Sequence, residues 1–141
     1  MKLLTNLQRK HLLLNGRMNA EQMEDNGETF NFCPVVKLFA PWGAATWLLT
    51  ELDPEDEDIA FGLCDLGMGC PELGTVRLSE LESVRGPAGL RIERDRHFNG
   101  EHWLWVYARA AAVAGRIIED AHALETARAQ VMNDLRKEAR A

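Results

Sequence analysis

Four side chains of this 141-residue chain could share acid–base or metal chemistry: Asp65, Glu72, Asp95 and His97. A histidine titrates near neutral pH, and beside carboxylates it can pass a proton or complete a set of metal ligands. The four lie on separate segments, and nothing in their spacing requires them to meet. A cleft holding them within a few ångströms of one another would mark a small enzyme or nucleic-acid-processing factor.

A second polar feature is the run Glu51, Asp53, Glu55, Asp56, Glu57 and Asp58, six acids in eight positions. A calcium loop wants acids at alternate positions, and Asp53, Glu55 and Glu57 supply three. However, Pro54 stiffens the second position, the turn-forming glycine is missing, and no bidentate glutamate follows at the right distance. Asp53-Pro54 favours a turn, so the run reads as a solvated hairpin corner, with a weak cation site or docking patch as the alternative. The third feature is "RIERDRHF" (91–98), where Arg91, Arg94 and Arg96 alternate with Glu93 and Asp95 and precede His97-Phe98. A guanidinium can grip a phosphate or carboxylate with two bonds, with the aromatic stacking beside it. The plainer reading is surface charge pairing within the stretch or with the acidic corner.

Other chemistries find no pattern. Cys33, Cys64, Cys70 and His97 lack the C-x₂-C or H-x₃₋₅-H spacing of zinc sites. Cys64 stands beside Asp65, which raises a thiol pKa and so disfavours a thiolate nucleophile. Gly62, Gly67 and Gly69 precede neither Lys-Ser/Thr nor a helix start, so no phosphate cradle is implied. The expectation is no cofactor and no metal.

The elements that position these residues follow from periodicity. Thr5 with Gln8 matches a capping box, and the helix it opens is expected to end at Asn15-Gly16, with Leu7, His11 and Leu14 sharing a face. Residues 17–33 read as a loop. The period then becomes two: "PVVKLFA", "ATWLLTEL", "IAFGLCDL" and "TVRL" read as strands, with Gly62 marking a bulge or close backbone approach. In "ATWLLTEL", Thr46, Leu48, Thr50 and Leu52 are expected on one face. Ser79 with Glu82 suggests a second capping box on a short helix, and "GLRIERD" a fifth strand with Leu90 and Ile92 inward. Trp42 in the turn "PWG" is expected to lid the core. Short links favour an antiparallel meander. The fold class is α+β: a small antiparallel sheet of four or five strands, an N-terminal helix and a long C-terminal helix.

From Trp103 to Leu135 apolar or small residues recur at alternating steps of four and three, including Tyr107, Ala110, Ile117, Leu124 and Val131, with Arg128 the polar exception. Gly115 is the weak point of that seam. At about 1.5 Å per residue a continuous helix here would reach roughly 55 Å, longer than so small a domain is wide. The seam would then project and bind a copy or a partner; the other outcome is a break near Gly115 and folding back. The domains expected are 1–100, an α+β unit, and 101–141, a contiguous helical extension.

Composition bounds the rest. Hydrophobic residues are 46% and charged residues 27%, as in ordinary globular proteins. Residues 101–141 carry six acids and six bases, so all of the net −6 lies in the first hundred residues. That sign repels phosphate backbones and disfavours whole-protein nucleic-acid binding. No apolar run spans a membrane, Arg9, Lys10 and His11 interrupt any leader, and the cysteines are odd in number, all consistent with a cytoplasmic protein.

"PVVKLF", "ATWLLTELDPEDEDIAFGLCDLGMGCPELGTVRLSELESVRG" and "ERDRHF" resemble the bacterial domain-of-unknown-function family numbered 2958, over about residues 1–110. The resemblance implies an association with plasmids and other mobile elements, near genes for transfer, replication or defence evasion. It carries no catalytic residues, and the alanine-rich tail departs from the usual short form. The expectation is a non-enzymatic accessory protein that docks on protein partners or on itself. The residues expected to carry docking are Asp53, Asp56, Asp65, Glu72, Arg94, Arg96 and His97 on the sheet domain, and Ile117, Leu124 and Val131 on the helix.

Overall fold

The computed structural model describes residues 2–140. Helix α1 (Asn6–Asn26) starts at the expected capping box: Thr5 Oγ1 accepts the Gln8 N–H and Gln8 Oε1 accepts the Thr5 N–H, both at 3.0 Å. It does not stop at Gly16. The helix runs ten residues further to a left-handed Gly27 at φ 74°, and so occupies most of the expected 17–33 loop. Gly16 is needed for a different reason: a Cβ there would stand 1.8 Å from the Leu52 carbonyl oxygen, so its absence lets the helix lie on a strand backbone. The inward face is Leu12, Asn15, Gly16 and Asn19, while Leu7 and Leu14 face outward. A contact face of small and polar residues gives no apolar period, which is why the helix looked shorter in sequence.

Strands β1 (Val36–Phe39), β2 (Thr46–Asp53), β3 (Asp56–Asp65), β4 (Glu72–Arg77) and β5 (Glu93–Arg94) form one antiparallel sheet in the order β4-β3-β2-β1-β5. β1 to β4 are a meander, and the chain then returns to place β5 against the far side of β1. The alternation expected along β2 breaks at a register shift between Leu49 and Glu51, opposite Gly62 and Phe61. The extra residue, Thr50, reverses the phase, so Leu48 and Leu52 enter different cores.

Those cores lie on the two faces of the sheet. The first joins Leu12, Val36, Leu38, Leu49, Leu52 and Ile92 beneath α1 and the short helix α2 (Leu78–Ser83), and half-buried Trp42 packs against it as a lid. α2 is not capped by Ser79. Asp58 reaches across from β3 instead, accepting the Ser79 amide at 2.9 Å and its hydroxyl at 2.6 Å. Leu90, expected inward, is exposed in the stretch after the 3₁₀ turn Pro87–Gly89, and Ile92 alone is buried.

The second core joins Leu48 and Leu63 of the sheet to helices α3 (Leu104–Ala114) and α4 (Ala121–Arg140). The C-terminal stretch is therefore not one rod. Gly115 adopts φ 77°, its N–H bonds the Ala111 carbonyl at 2.8 Å, and α3 ends there. α4 starts after a short link, where Asp120 accepts the Ala123 N–H at 2.8 Å. An Arg109–Asp134 ion pair ties the two helices, and Ala110, Ala111 and Ala127 are buried between and beneath them. Most of the helix-spaced seam is spent inside the chain; Ala114, Ala121 and Arg128 alone among its residues are exposed. No helix of the described residues is long and apolar enough to cross a membrane.

Candidate docking surface

The acidic run is a hairpin whose acids serve the turn. Asp53 and Asp56 face each other across Pro54-Glu55, and Asp53 Oδ1 accepts the Glu55 N–H at 2.9 Å. Arg77 Nη1 lies 3.1 Å from Asp56 Oδ2 and 3.6 Å from Asp58 Oδ2. The Ser79 hydroxyl, helped by the Ser79 amide and Arg77, holds the Asp58 carboxyl below the usual range. Burial pushes the Glu51 carboxyl up, offset in part by the Asn19 side chain at 2.7 Å. Asp53, Glu55 and Glu57 remain as exposed carboxylates.

The arginine-rich stretch is also tied into the fold. Arg94 Nη1 donates to the carbonyls of Lys2 and Leu3, at 3.0 and 3.2 Å, fastening the N-terminal segment to the sheet edge. Lys37 bridges Asp95 at 3.5 Å and Glu119 at 2.5 Å, and Asp95 Oδ1 accepts the His97 N–H at 2.9 Å. Arg94 and Asp95 thus take Lys2, Leu3 and Lys37 as partners, outside the stretch and away from the acidic corner, and the Asp95–His97 contact is made within it. Arg96 and His97 are exposed, and His97 lines a shallow cleft of about 310 Å³ with Glu101, His102, Tyr107 and Glu119. Burial pushes the Tyr107 hydroxyl up from its ordinary value.

The four acid–base candidates do not converge. Asp65 is 1% exposed and consumed by the backbone: its oxygens accept the Gly67 N–H at 2.8 Å and the Ile117 N–H at 3.0 Å, anchoring the α3–α4 link. Glu72 lies on β4 and Asp95 directly follows β5, on opposite edges of the sheet. Four interstrand steps of about 4.8 Å put them roughly 19 Å apart. Among the described residues no group of three His, Cys, Asp or Glu side chains could hold a metal. The three cysteines are unpaired, and burial pushes the Cys33 and Cys64 thiols up, away from nucleophilic thiolate. Of the helix residues, Leu124 and Val131 are 4% and 5% exposed inside the second core, and Ile117 is half-buried against it.

The open apolar surface lies elsewhere, around β4. Leu73 is 42% exposed and Trp105 43%. With Ala108, Ala112, Val131 and Leu135 they line a groove of about 420 Å³ between the edge of the sheet, α3 and α4. On the other face of the same strand, Trp47, Cys64, Leu66, Met68 and Val76 line a cleft of about 330 Å³. Met68 is 78% exposed. Sequence reasoning missed this surface, although two signals were present. Leu66 and Met68 are apolar residues inside a glycine-rich loop, and Trp105 lies off the helical seam that its neighbour Trp103 joins.

Comparison with known proteins is narrow. No curated protein and no solved structure is matched. The family model described as a protein of unknown function (DUF2958) matches residues 3–118, most of the chain and every strand of the sheet, and the chain belongs to that family.

Proposed function

We propose that the protein is a non-enzymatic docking module of the bacterial cytoplasm, an accessory to a mobile element in maintenance, transfer or defence modulation. The observation that carries docking is the gathering of Leu66, Met68, Leu73 and Trp105 around one sheet edge, each exposed and each lining a cleft there. Isolated exposed apolar residues need no explanation, but a group of them gathered from a strand, its preceding loop and a neighbouring helix is the mark of an interaction surface. The dispersal of Asp65, Glu72, Asp95 and His97 argues on the same side, because acid–base catalysis needs its groups within reach of one substrate. Unpaired thiols suit a reducing compartment. The mobile-element setting rests on the family resemblance of the motifs alone.

Docking here uses neither of the surfaces expected first. The helical seam packs internally, and Asp56 and Asp58 are engaged by Arg77 and Ser79. The test is capture of partners from a bacterial lysate on the immobilised full chain, with an Asp53→Asn/Glu55→Gln/Glu57→Gln variant in parallel. A stoichiometric partner held equally by both is the expected result. Recovery of none by the unaltered chain sinks the docking reading.

A further inference from the structure

The two edges of the sheet differ in how they are finished. β5 is two residues long, both charged, and its Arg94 is fastened to the N-terminal segment. β4 is six residues long and pairs with β3 through six consecutive residues without a register shift. Its other side pairs with no strand among the described residues, and it contains no proline and no lysine. Short strands, bulges, prolines and charged side chains are among the devices by which proteins blunt an edge. β4 carries charge only at its two ends, Glu72 and Arg77, with none in its middle four residues. An unblunted edge presents alternate N–H and C=O groups to solvent as a template for another strand.

The clefts on the two faces fit that template. Side chains of a strand laid along β4 would alternate between the Leu73–Trp105–Leu135 groove and the Trp47–Met68–Val76 cleft. Each cleft also carries a carboxylate with no ion-pair partner among the described residues: Glu138 at the first and Glu72 at the second. A second copy of the chain would bring another net charge of −6 against this edge, and its Arg77, the only base on β4, is already engaged by Asp56 and Asp58.

Resting on the docking reading above, we propose that β4 is a strand-addition site whose occupant is an extended segment of a partner protein, apolar at successive positions and flanked by basic residues. Backbone hydrogen bonds along β4 hold the segment, the two clefts take its alternate side chains, and Glu72 and Glu138 meet its lysines or arginines.

The probe is a synthetic peptide of alternating Val and Ile with paired lysines at each end, added to the full chain while amide hydrogen exchange of residues 72–77 is followed by NMR. Outward-facing β4 amides should slow by about tenfold or more at roughly 1 mM peptide. A peptide with a central proline should give no protection, and one with glutamates for lysines less. Leu73→Lys and Thr75→Lys, both at exposed positions and each checked by its melting curve, should abolish protection. Absence of protection in the unaltered chain overturns the proposal, as does equal protection by the proline peptide. A peptide-free dimer in sedimentation that Leu73→Lys dissolves gives the edge to a second copy and overturns the proposed occupant. If the lysate partner binds the Leu73→Lys chain undiminished, docking stands and only the edge falls. If no partner is captured at all, docking falls whatever the peptide does.

Discussion

The two faces of the sheet are covered by unlike means. On one, α1 buries Leu12, Asn15, Gly16 and Asn19, one fully buried leucine among small and polar residues, with half-buried Leu13 packed beside it. It is held by hydrogen bonds: Asn15 Nδ2 donates to the Thr50 carbonyl at 2.9 Å, and Asn19 joins Glu51 and the Phe30 amide, the latter at 2.6 Å. On the other, α3 and α4 bury Leu104, Val106, Tyr107, Leu124 and Val131 with alanines between. Both faces bury apolar area, Leu38, Leu49, Leu52, Leu78 and Leu81 on the first and Leu48 and Leu63 with the two helices on the second. The α1 contact adds close backbone approach and satisfied polar groups that the α3–α4 contact lacks. The difference teaches that a helix can be seated on an apolar core by backbone shape and polar contacts as well as by apolar side chains, each contact failing in its own way.

The sharpest way to break that contrast is Leu124→Ala. Removing a buried leucine side chain should cost about 3 kcal/mol in denaturant unfolding, through lost transfer energy and the cavity left behind. Because Leu124 packs within its own chain, the loss should be the same at every protein concentration. A loss that grows on dilution would mean that the seam is shared between copies.

Gly16→Ala tests the other face and should cost about 2 kcal/mol, from overpacking against the Leu52 carbonyl. The sign is informative, since alanine in a helix interior would otherwise gain about 1 kcal/mol over glycine. A stabilised Gly16→Ala protein would show that α1 does not lie on β2 as described.

The smallest effect is one of pH, and it too separates neighbouring groups. Glu51 titrates higher in the folded state than in the unfolded chain because burial disfavours its charge. The folded state then binds more protons in that interval, so stability falls as pH rises through the folded value. Asp58 runs oppositely: its folded value is lowered by Ser79, so its contribution is present above the unfolded value and lost as pH falls. Glu51→Gln should raise the melting temperature slightly at neutral pH and leave it unchanged in acid, whereas Asp58→Asn should lower it at neutral pH and flatten the acid limb. A Glu51→Gln protein less stable at neutral pH would mean that the charge is needed by Asn19.

How much of this was legible beforehand depended on the kind of signal. The Thr5–Gln8 box, the period-two runs and the Asp53-Pro54 corner are local, and they placed α1's start, β1 to β3 and the hairpin. The Ser79–Glu82 spacing was equally local and misled, because Asp58, twenty-one positions earlier, offered Ser79 a stronger partner. The length of α1 was hidden because its contacts are made by asparagine and glycine, whose helical role exists only once β2 lies against them. The open surface around β4 was hidden for a related reason: exposure of Leu73 or Trp105 is a property of what fails to cover them.

The sequence by itself determined the local signals: the start of α1, the period-two runs of the meander, the helical spacing from Trp103 to Leu135 and the positive-φ break available at Gly115, all set by neighbours a few residues away. Only the tertiary structure decided that the seam folds back on its own sheet, that Thr50 shifts the phase of β2, and that Asp65 anchors a distant loop. Each of those outcomes requires a partner group from elsewhere in the chain, and a residue's spacing to its neighbours carries no record of what will be brought against it.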